Sequence, residues 1–582
     1  MFFNGNKHVS TNTLLIFIGL LFIGLPFIST CEYFMSGTYA MITLFSLELL
    51  WLINTGIHRN SLTIRTIDLF FLAWICWCAL KFFILNNYIP DRGILYEGIG
   101  LCIWYGILRL NHHTNMIISF CILSGTLQAS IGILQYFGCI NSNNIYFTFT
   151  GSFDNPGPLG GFLATTFLLT LPYAIYQWHS FSTWRKIAIT FASTIQLYTI
   201  IGTNSRASWL AVLTGIIYFL GYYYFKKQYK KWIVLGYIVT LLTGIGLYYY
   251  RPDSGLGRVQ IWQVSTKMFQ EKPLTGLGIE AFPTQYMNFQ ADYFKEHHDI
   301  IKERLAGNNT FAFNEFIRIA CEQGLIGLCL LCLLLTILFI SPMKDYPGKI
   351  AQTSLTGFIV FSCFSYPAER LPLEIMFITL IAIITNHAST PTFSIHLKKR
   401  YKLQCCVILS ICVIPIISEY FSRINIDRAL HTLQKSGKQI QDSSLLTDYH
   451  KYIHCSNFIL GYSHILFHSQ KYDKALPVLE QAARLQPTSE ILCDLGKCYV
   501  QQQEYDKAEY CFKQASFMVP AYLMPRYQLF CLYKEKGKKH LARSIAQEIL
   551  NTSPKIVNSL TLDIKRIVKT WYKENIHNQK AS

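Results

Sequence analysis

Charge is what this chain has least of, and most of what it has is of one sign. Charged residues are 14% of its 582 positions, with 51 Lys and Arg against 33 Asp and Glu. A soluble globular domain carries about 25% charged residues, so a wholly water-exposed fold does not fit. The formal net charge of +18 would suggest a nucleic-acid partner in a soluble protein. Here the basic residues sit between apolar runs, where they set membrane orientation, and no nucleic acid is expected. Metal-site spacing is missing too. Of the 18 cysteines, thirteen precede residue 420, mostly in or beside apolar runs, where cysteine acts as a small apolar filler. The other five, Cys455, Cys493, Cys498, Cys511 and Cys531, include no CxxC pair. The cysteines therefore read as structural, and neither a metal nor a cofactor is expected. No small-residue cleavage site follows the first apolar run, which predicts an uncleaved helix.

What the chain does have is apolar length. Stretches at about 13–28, 38–54, 66–85, 93–110, 116–138, 159–179, 185–202, 207–225, 232–250, 316–341, 349–366, 371–387 and 403–420 mostly reach the length of a membrane-crossing helix. The even-numbered connectors and their edges hold Arg59, Arg65, Arg109, Arg185, Lys186, Lys226, Lys227, Lys230, Lys231, Lys344, Lys349, Lys398, Lys399, Arg400 and Lys402. The short odd-numbered connectors hold Arg92, Arg206 and Arg370, with Lys81 at the end of the third stretch. Basic residues stay on the cytoplasmic side during insertion. The expected fold is all-α: a polytopic bundle of about thirteen spans over residues 1–420, then a soluble helical domain over 421–582. The N-terminus is expected in the cytoplasm, and the long loop and the tail on the outer, periplasmic side of the cytoplasmic membrane. The basic residues on the wrong side then need a reason to be there.

Two outward connectors are long. The first, about 139–158, contains Gly151-Ser152-Phe153-Asp154-Asn155-Pro156-Gly157-Pro158, a turn-rich run. The second spans 251–313. It opens a helical stripe of Ile261, Val264, Ser265 and Met268, expected to lie on the membrane–water boundary and to stop at Pro273 and the Gly276/Gly278 pair. In the tail, Leu495, Gly496, Tyr499, Ala508, Phe512, Ala515 and Pro520 follow the 34-residue pattern of a helix–turn–helix repeat. Weaker copies show Ala475, Ala482 and Pro487, and Leu529, Tyr533, Ala542 and Pro554. The reading is a tetratricopeptide-like domain at about 455–555, with a concave face suited to a protein partner.

Several polar residues stand where lipid would not tolerate them. Arg206 follows Ser205 at an outward helix end, a costly place unless it meets water or an anion. Its planar fork suits phosphate, and Ser205 adds a hydroxyl. Arg258 lies in the long loop, and Arg370 stands between Pro367 and Pro372 with Glu369 as a neutralising neighbour. Asn314, Glu315, Arg318 and Glu322 recur at helical spacing and form one polar stripe, readable as a site or as internal pairing.

Taken in order, Gly-x-Phe-x-Asn-Pro at 151–156, Ser-Arg-x-x-Trp-Leu at 205–210, Gly-Arg-x-x-x-Trp at 257–262, Pro-Leu-x-Gly-x-Gly at 273–278 and Asn-Glu-Phe…Glu-x-Gly-x-x-Gly at 314–327 resemble the O-antigen ligase/polymerase family. The likeness covers roughly 140–390, and the branch is the one with tetratricopeptide repeats at its end. It implies transfer of a glycan from a polyprenyl-diphosphate carrier to a hydroxyl on a glycan, lipid or protein acceptor, without metal. Arg206 and Arg258 match the family's motif arginines and are the implied diphosphate contacts; Arg370 is added from position. Family ligases place a histidine just before the motif asparagine, but this chain has Phe313 there. Glu315, beside Asn314, is the candidate substitute, since a carboxylate can accept a proton where phenylalanine cannot. His297 and His298 share the loop but match no motif. A ligase, a polymerase and a protein O-oligosaccharyltransferase stay open within this class. Outside it stand a lipid-linked-sugar transporter, which would call for internal symmetry between halves not seen here, and a non-catalytic assembly protein.

Overall fold

The computed structural model describes residues 61–86, 90–110, 113–225, 229–250, 252–389, 392–396 and 449–580, with Gly19 and isolated positions between 404 and 430. The stretches expected at 13–28, 38–54 and 403–420 lie outside the described residues, those isolated positions aside. Each of the other ten meets a helix.

Strand β1 (Ser61–Arg65) leads into α1 (Thr66–Leu80), which continues as a wider turn to Leu85. Then come α2 (Arg92–Leu110), α3 (Thr114–Tyr136), α4 (Pro156–Gln177), α5 (Thr183–Gly202), α6 (Arg206–Tyr224) and α7 (Tyr229–Tyr250). The long loop folds into α8 (Pro252–Glu271), α9 (Ala281–Glu296) and the short α10 (Ile300–Leu305). The bundle closes with α11 (Glu315–Ile340), α12 (Tyr346–Ser362), α13 (Leu371–His387) and β2 (Thr392–His396). Five helices, at Thr66–Leu85, Thr114–Tyr136, Pro156–Ser180, Arg206–Tyr224 and Glu315–Ile340, are long and apolar enough to cross a membrane. The count of thirteen spans remains a reading of the sequence.

The connectors sort to two ends. At one end β1 pairs antiparallel with β2, from Ser61 opposite His396 to Arg65 opposite Thr392. His387 meets Thr114 and Asp345 there, and Tyr346 bonds Asn115 and Gln177. These are the even-numbered connectors. At the other end Arg370 pairs with Asp154, and the Asn86 side chain accepts from Ile279 N–H. Helices crossing one slab produce this alternation.

Helix α11 is broken at Gly324, whose backbone lies at φ 69° and ψ −170°. A helix break inside apolar surroundings frees backbone groups that must find partners. The strap Pro273–Gly278 supplies them. Leu277 and Gly278 N–H donate to Cys321 and Glu322 carbonyls, while Leu325 and Ile326 N–H donate back to Pro273 and Leu274. A Cβ at Gly276 would stand 2.4 Å from the Glu322 carbonyl, and one at Gly324 2.3 Å from the Leu274 oxygen. That close backbone approach accounts for the glycines of both motifs. Lys81, fully buried, caps the strap by donating from Nζ to the Gly276 carbonyl at 3.1 Å, so the wrong-side lysine holds backbone oxygens rather than facing lipid.

The tail begins with α14 (Ser456–His468) and α15 (Tyr472–Leu485), then α16 (Ser489–Gln501) and α17 (Tyr505–Met518), then α18 (Leu523–Glu535) and α19 (Lys539–Asn551), and ends on α20 (Ser559–Lys580). Ala475, Ala482, Ala508, Ala515 and Ala542 are fully buried. A Cβ at Gly496 would strike the Phe512 ring, so small residues set the approach of paired helices. All five tail cysteines are free. The apolar face of α8 (Ile261, Val264, Met268) is packed into one core with α9 and the tail. That corrects the boundary-helix expectation: the stripe faces protein. Gln290 joins the two parts, its amide donating to the carbonyls of Gly307 at 3.0 Å and Met518 at 2.6 Å.

Candidate active site

The turn-rich run at 151–158 folds around two buried glutamines. Gln135 Oε1 accepts from Gly151 N–H at 2.7 Å, and Gln128 Oε1 accepts from Ser152 N–H at 3.0 Å. Gly151 takes a positive φ where a Cβ would strike Gln128. Phe153 is buried, and Asn155 caps α4 by accepting from Gly157 N–H. Asp154 is what this turn presents outward.

Arg206 opens α6 as its first residue. A cation there opposes the helix dipole, which favours negative charge at an N-terminus. Arg258 comes from α8 and lies with its guanidinium carbon 5.5 Å from the centre of the Phe313 ring. Four residues on, one turn along the same helix face, Trp262 Nε1 donates to the Ala312 carbonyl at 3.0 Å. The Gly-Arg-x-x-x-Trp motif thus holds the Phe313 ring and the backbone just before it. Burial and the nearby Arg206 push the Arg258 guanidinium down to about 10, against the pull of Tyr366. Among the described residues no carboxylate pairs with Arg258.

Arg370 enters from the third side, its guanidinium carbon 5.6 Å from the Tyr366 ring centre. Its partner is Asp154, at 3.0 Å, and not Glu369 as expected; its Nε is buried without a partner. Tyr366 sits between the arginines. Burial raises its phenol, while Arg370 and Arg258 pull it back. The ring stacks on Phe311 at 4.3 Å and meets Phe313 edge-on at 5.3 Å. Phe313 itself holds φ +51°, a left-handed backbone that is uncommon for a bulky residue and costs about 1–3 kcal/mol. Two sequence-predicted arginines, Arg258 and Arg370, therefore meet one aromatic platform, and Arg206 lies near Arg258. The sequence reading missed Tyr366 and Asp154; the signal for both was their place in the same outward connectors as Arg370 and Phe153.

The polar stripe of α11 is also built as internal pairing. Asn314 caps the helix, accepting from Phe316 and Ile317 N–H. Arg318 donates to Glu315 at 2.8 Å and to Glu322 at 2.7 Å. Glu315 further accepts from Ala368 N–H at 3.1 Å, and Glu322 from Phe282 N–H at 3.2 Å. Glu315 thus ties α11 to the Tyr366–Arg370 segment. Ser205 Oγ shares a 2.7 Å hydrogen bond with Ser208. His297 stacks on Tyr293 and His298 faces Glu303, so neither joins the arginines.

Residues 191–332 match the family model described as O-Antigen ligase. That segment is an O-antigen ligase domain. The family implies a glycosyl-transfer enzyme with a lipid-linked glycan donor and an acceptor, and with the apolar helices it fits an inner-membrane protein. The ligase segment contains Arg206, Arg258, Phe313, Glu315 and Arg318. Asp154, Tyr366 and Arg370 lie outside it and are brought to it by the fold. No curated protein matches the chain.

Proposed function

We propose that Arg206, Arg258 and Arg370 hold the diphosphate of a polyprenyl-diphosphate-linked glycan, and that the glycan passes from it to an acceptor hydroxyl on the outer face of the membrane. The observation that carries this is the meeting of Arg206 and Arg258 from separate elements, close enough for one to lower the other. Like charges held close together in a half-buried place repel, and a dianionic group bound between them offsets that repulsion. As the glycosidic bond breaks, negative charge grows on the departing diphosphate, and fixed guanidinium forks stabilise that charge more than the ground state. Glu315 is the proposed base. A carboxylate has about four lone-pair positions, and the bonds from Arg318 and Ala368 leave room for the acceptor hydroxyl. Asn314 fixes the helix start that aims it. In this reading the arginines, the long loop and the repeat-like tail are outside, which the positive residues at the other end of the bundle support.

Arg206→Ala and Arg258→Ala are expected each to lower transfer by about 10²-fold or more, with protein level and insertion near normal. Lysine rescues poorly, because a point charge replaces a two-pronged fork. A transfer assay on purified protein with a lipid-linked glycan decides it: native rates in both alanine variants would remove the diphosphate assignment.

A further inference from the structure

Behind the segment Tyr366–Arg370 lies a cavity of about 410 Å³ between α1, α2, α11, α12 and α13. Its charged residues stand in the first two or three turns of α2, α11 and α13 and in the connectors above them. Six of them are carboxyls: Glu97, Glu280, Glu315, Glu322, Glu369 and Glu374. Deeper along the same helices the wall turns apolar, with Leu101, Leu331 and Phe377. Arg318 is the basic side chain in the lining, and its ion pairs are with Glu315 and Glu322. Among the described residues the other four glutamates have no ion pair. Glu97 and Glu374 both line the cavity, and Glu374 Oε2 is buried without a hydrogen-bond partner. Independently of the acids, the Trp74 indole N–H in the same wall is shut from solvent with no acceptor.

These features restrict the occupant. An anion would face the four unpaired carboxyls. A plain hydrocarbon would leave buried polar groups unpaired, at roughly 1–3 kcal/mol each. A molecule that donates to carboxyls, accepts from an indole N–H and continues into an apolar pocket meets all the conditions, and sugar hydroxyls both donate and accept. We propose that this cavity is the acceptor subsite, taking the uncharged, hydroxyl-bearing sugar of an amphiphile whose apolar part lies deeper between the helices. This rests on the glycosyl-transfer reading. The donor's own sugar is excluded because it is bonded directly to the diphosphate and would carry that charge to the carboxyls. Glu315 is in the cavity wall while accepting from Ala368 N–H, and Arg206, Arg258 and Arg370 are not in the lining, so an acceptor hydroxyl in the cavity reaches the proposed base without occupying the place of the diphosphate.

Gly98 offers a clean test. It lines the cavity, and a Cβ added there meets nothing within 4 Å, so Gly98→Phe carries a ring into the space without a clash at its first carbon, and a melting temperature no lower than that of the native chain checks that the variant folds. The full chain in lipid nanodiscs is photolabelled with an octyl glucoside bearing a diazirine in its alkyl chain. Label is expected on α1, α2 or α13, displaced by excess octyl glucoside but not by octyl phosphate or octylamine, and lowered by about tenfold or more in Gly98→Phe. In the transfer assay the same variant raises the acceptor KM and leaves the donor KM unchanged. Displacement by octyl phosphate or octylamine, labelling indifferent to Gly98→Phe, or a raised donor KM overturns the proposal. If the native chain transfers nothing, the glycosyl-transfer reading and the name acceptor subsite fall, while the labelling still decides whether a sugar binds there.

Discussion

At the scale of the residue, the site was legible wherever a side chain broke a membrane rule. Arg206, Arg258 and Arg370 stood out because arginine at an outward helix end or in an outward loop calls for an anion. Glu97 and Glu374 broke the same rule inside two apolar runs, at positions 97 and 374, and their place in one cavity is visible only once α2 and α13 pack together. Tyr366 and Asp154 broke no rule and were missed. Two residue-scale predictions follow from the geometry. Glu315→Gln keeps the size but removes the base, and its single amide oxygen can accept from only one of Arg318 and Ala368, so transfer should fall by about 10²–10⁴, while Phe313→Ala costs little beyond local packing; native transfer by Glu315→Gln would make Glu315 structural. The second concerns Glu280, which burial and the nearby Asp91 push up to about 8. An unfolded glutamate titrates near about 4.3. Between those values the folded chain holds a proton that the unfolded chain has released, so stability falls as pH rises through this window. Thermal melts of the native chain should drop from about pH 5 to about pH 8, and Glu280→Gln should flatten that slope. An unchanged slope would show that another group carries the linkage.

At the scale of the element, apolar run length located ten helices to within a few residues, because each run is bounded by turn residues or charges. The break in α11 was hidden, since Gly324 sits in a continuous apolar pattern and the partner of the break is a strap about fifty residues earlier in the chain. The interlock predicts an asymmetry among glycines. Gly276→Ala and Gly324→Ala each put a Cβ into backbone at 2.3–2.4 Å from a residue with positive φ, and each should lower stability by more than the roughly 1–3 kcal/mol of backbone strain alone. Gly106→Ala, in the interior of α2 with no atom near the added carbon, should instead raise stability by about 0.5–1 kcal/mol. Melting temperatures of the three variants in one detergent test the pattern. Equal effects would mean the strap does not bear on the break.

At the scale of the whole molecule, the sequence divides at about residue 420, where apolar texture gives way to polar, but the packing draws a different line. The long loop joins the tail. Phe282, Tyr286, Met287, Ala291 and Phe294 of α9 are all buried in a core that includes Phe458, Phe512 and Phe530, and Gln290 reaches Met518 across the junction. Composition could not show this, because α9 is bounded on both sides by loop and its apolar face lacks a visible partner in sequence. The consequence reaches the site, since the same loop carries Arg258 and leads into Phe313. Burial of one Phe or Met side chain is worth about 1.5–3 kcal/mol, so removing the tail strips the loop of more than such a segment can lose and stay ordered. A chain ended at residue 420 should still insert, because the membrane helices pack around a separate core. It should transfer no glycan, and protease should cut it within α9, whose apolar face is buried in the full chain. Transfer at the native rate by the shortened chain would show that the loop holds Arg258 in place without the tail, and would return the tail to the role of a recruiting surface alone.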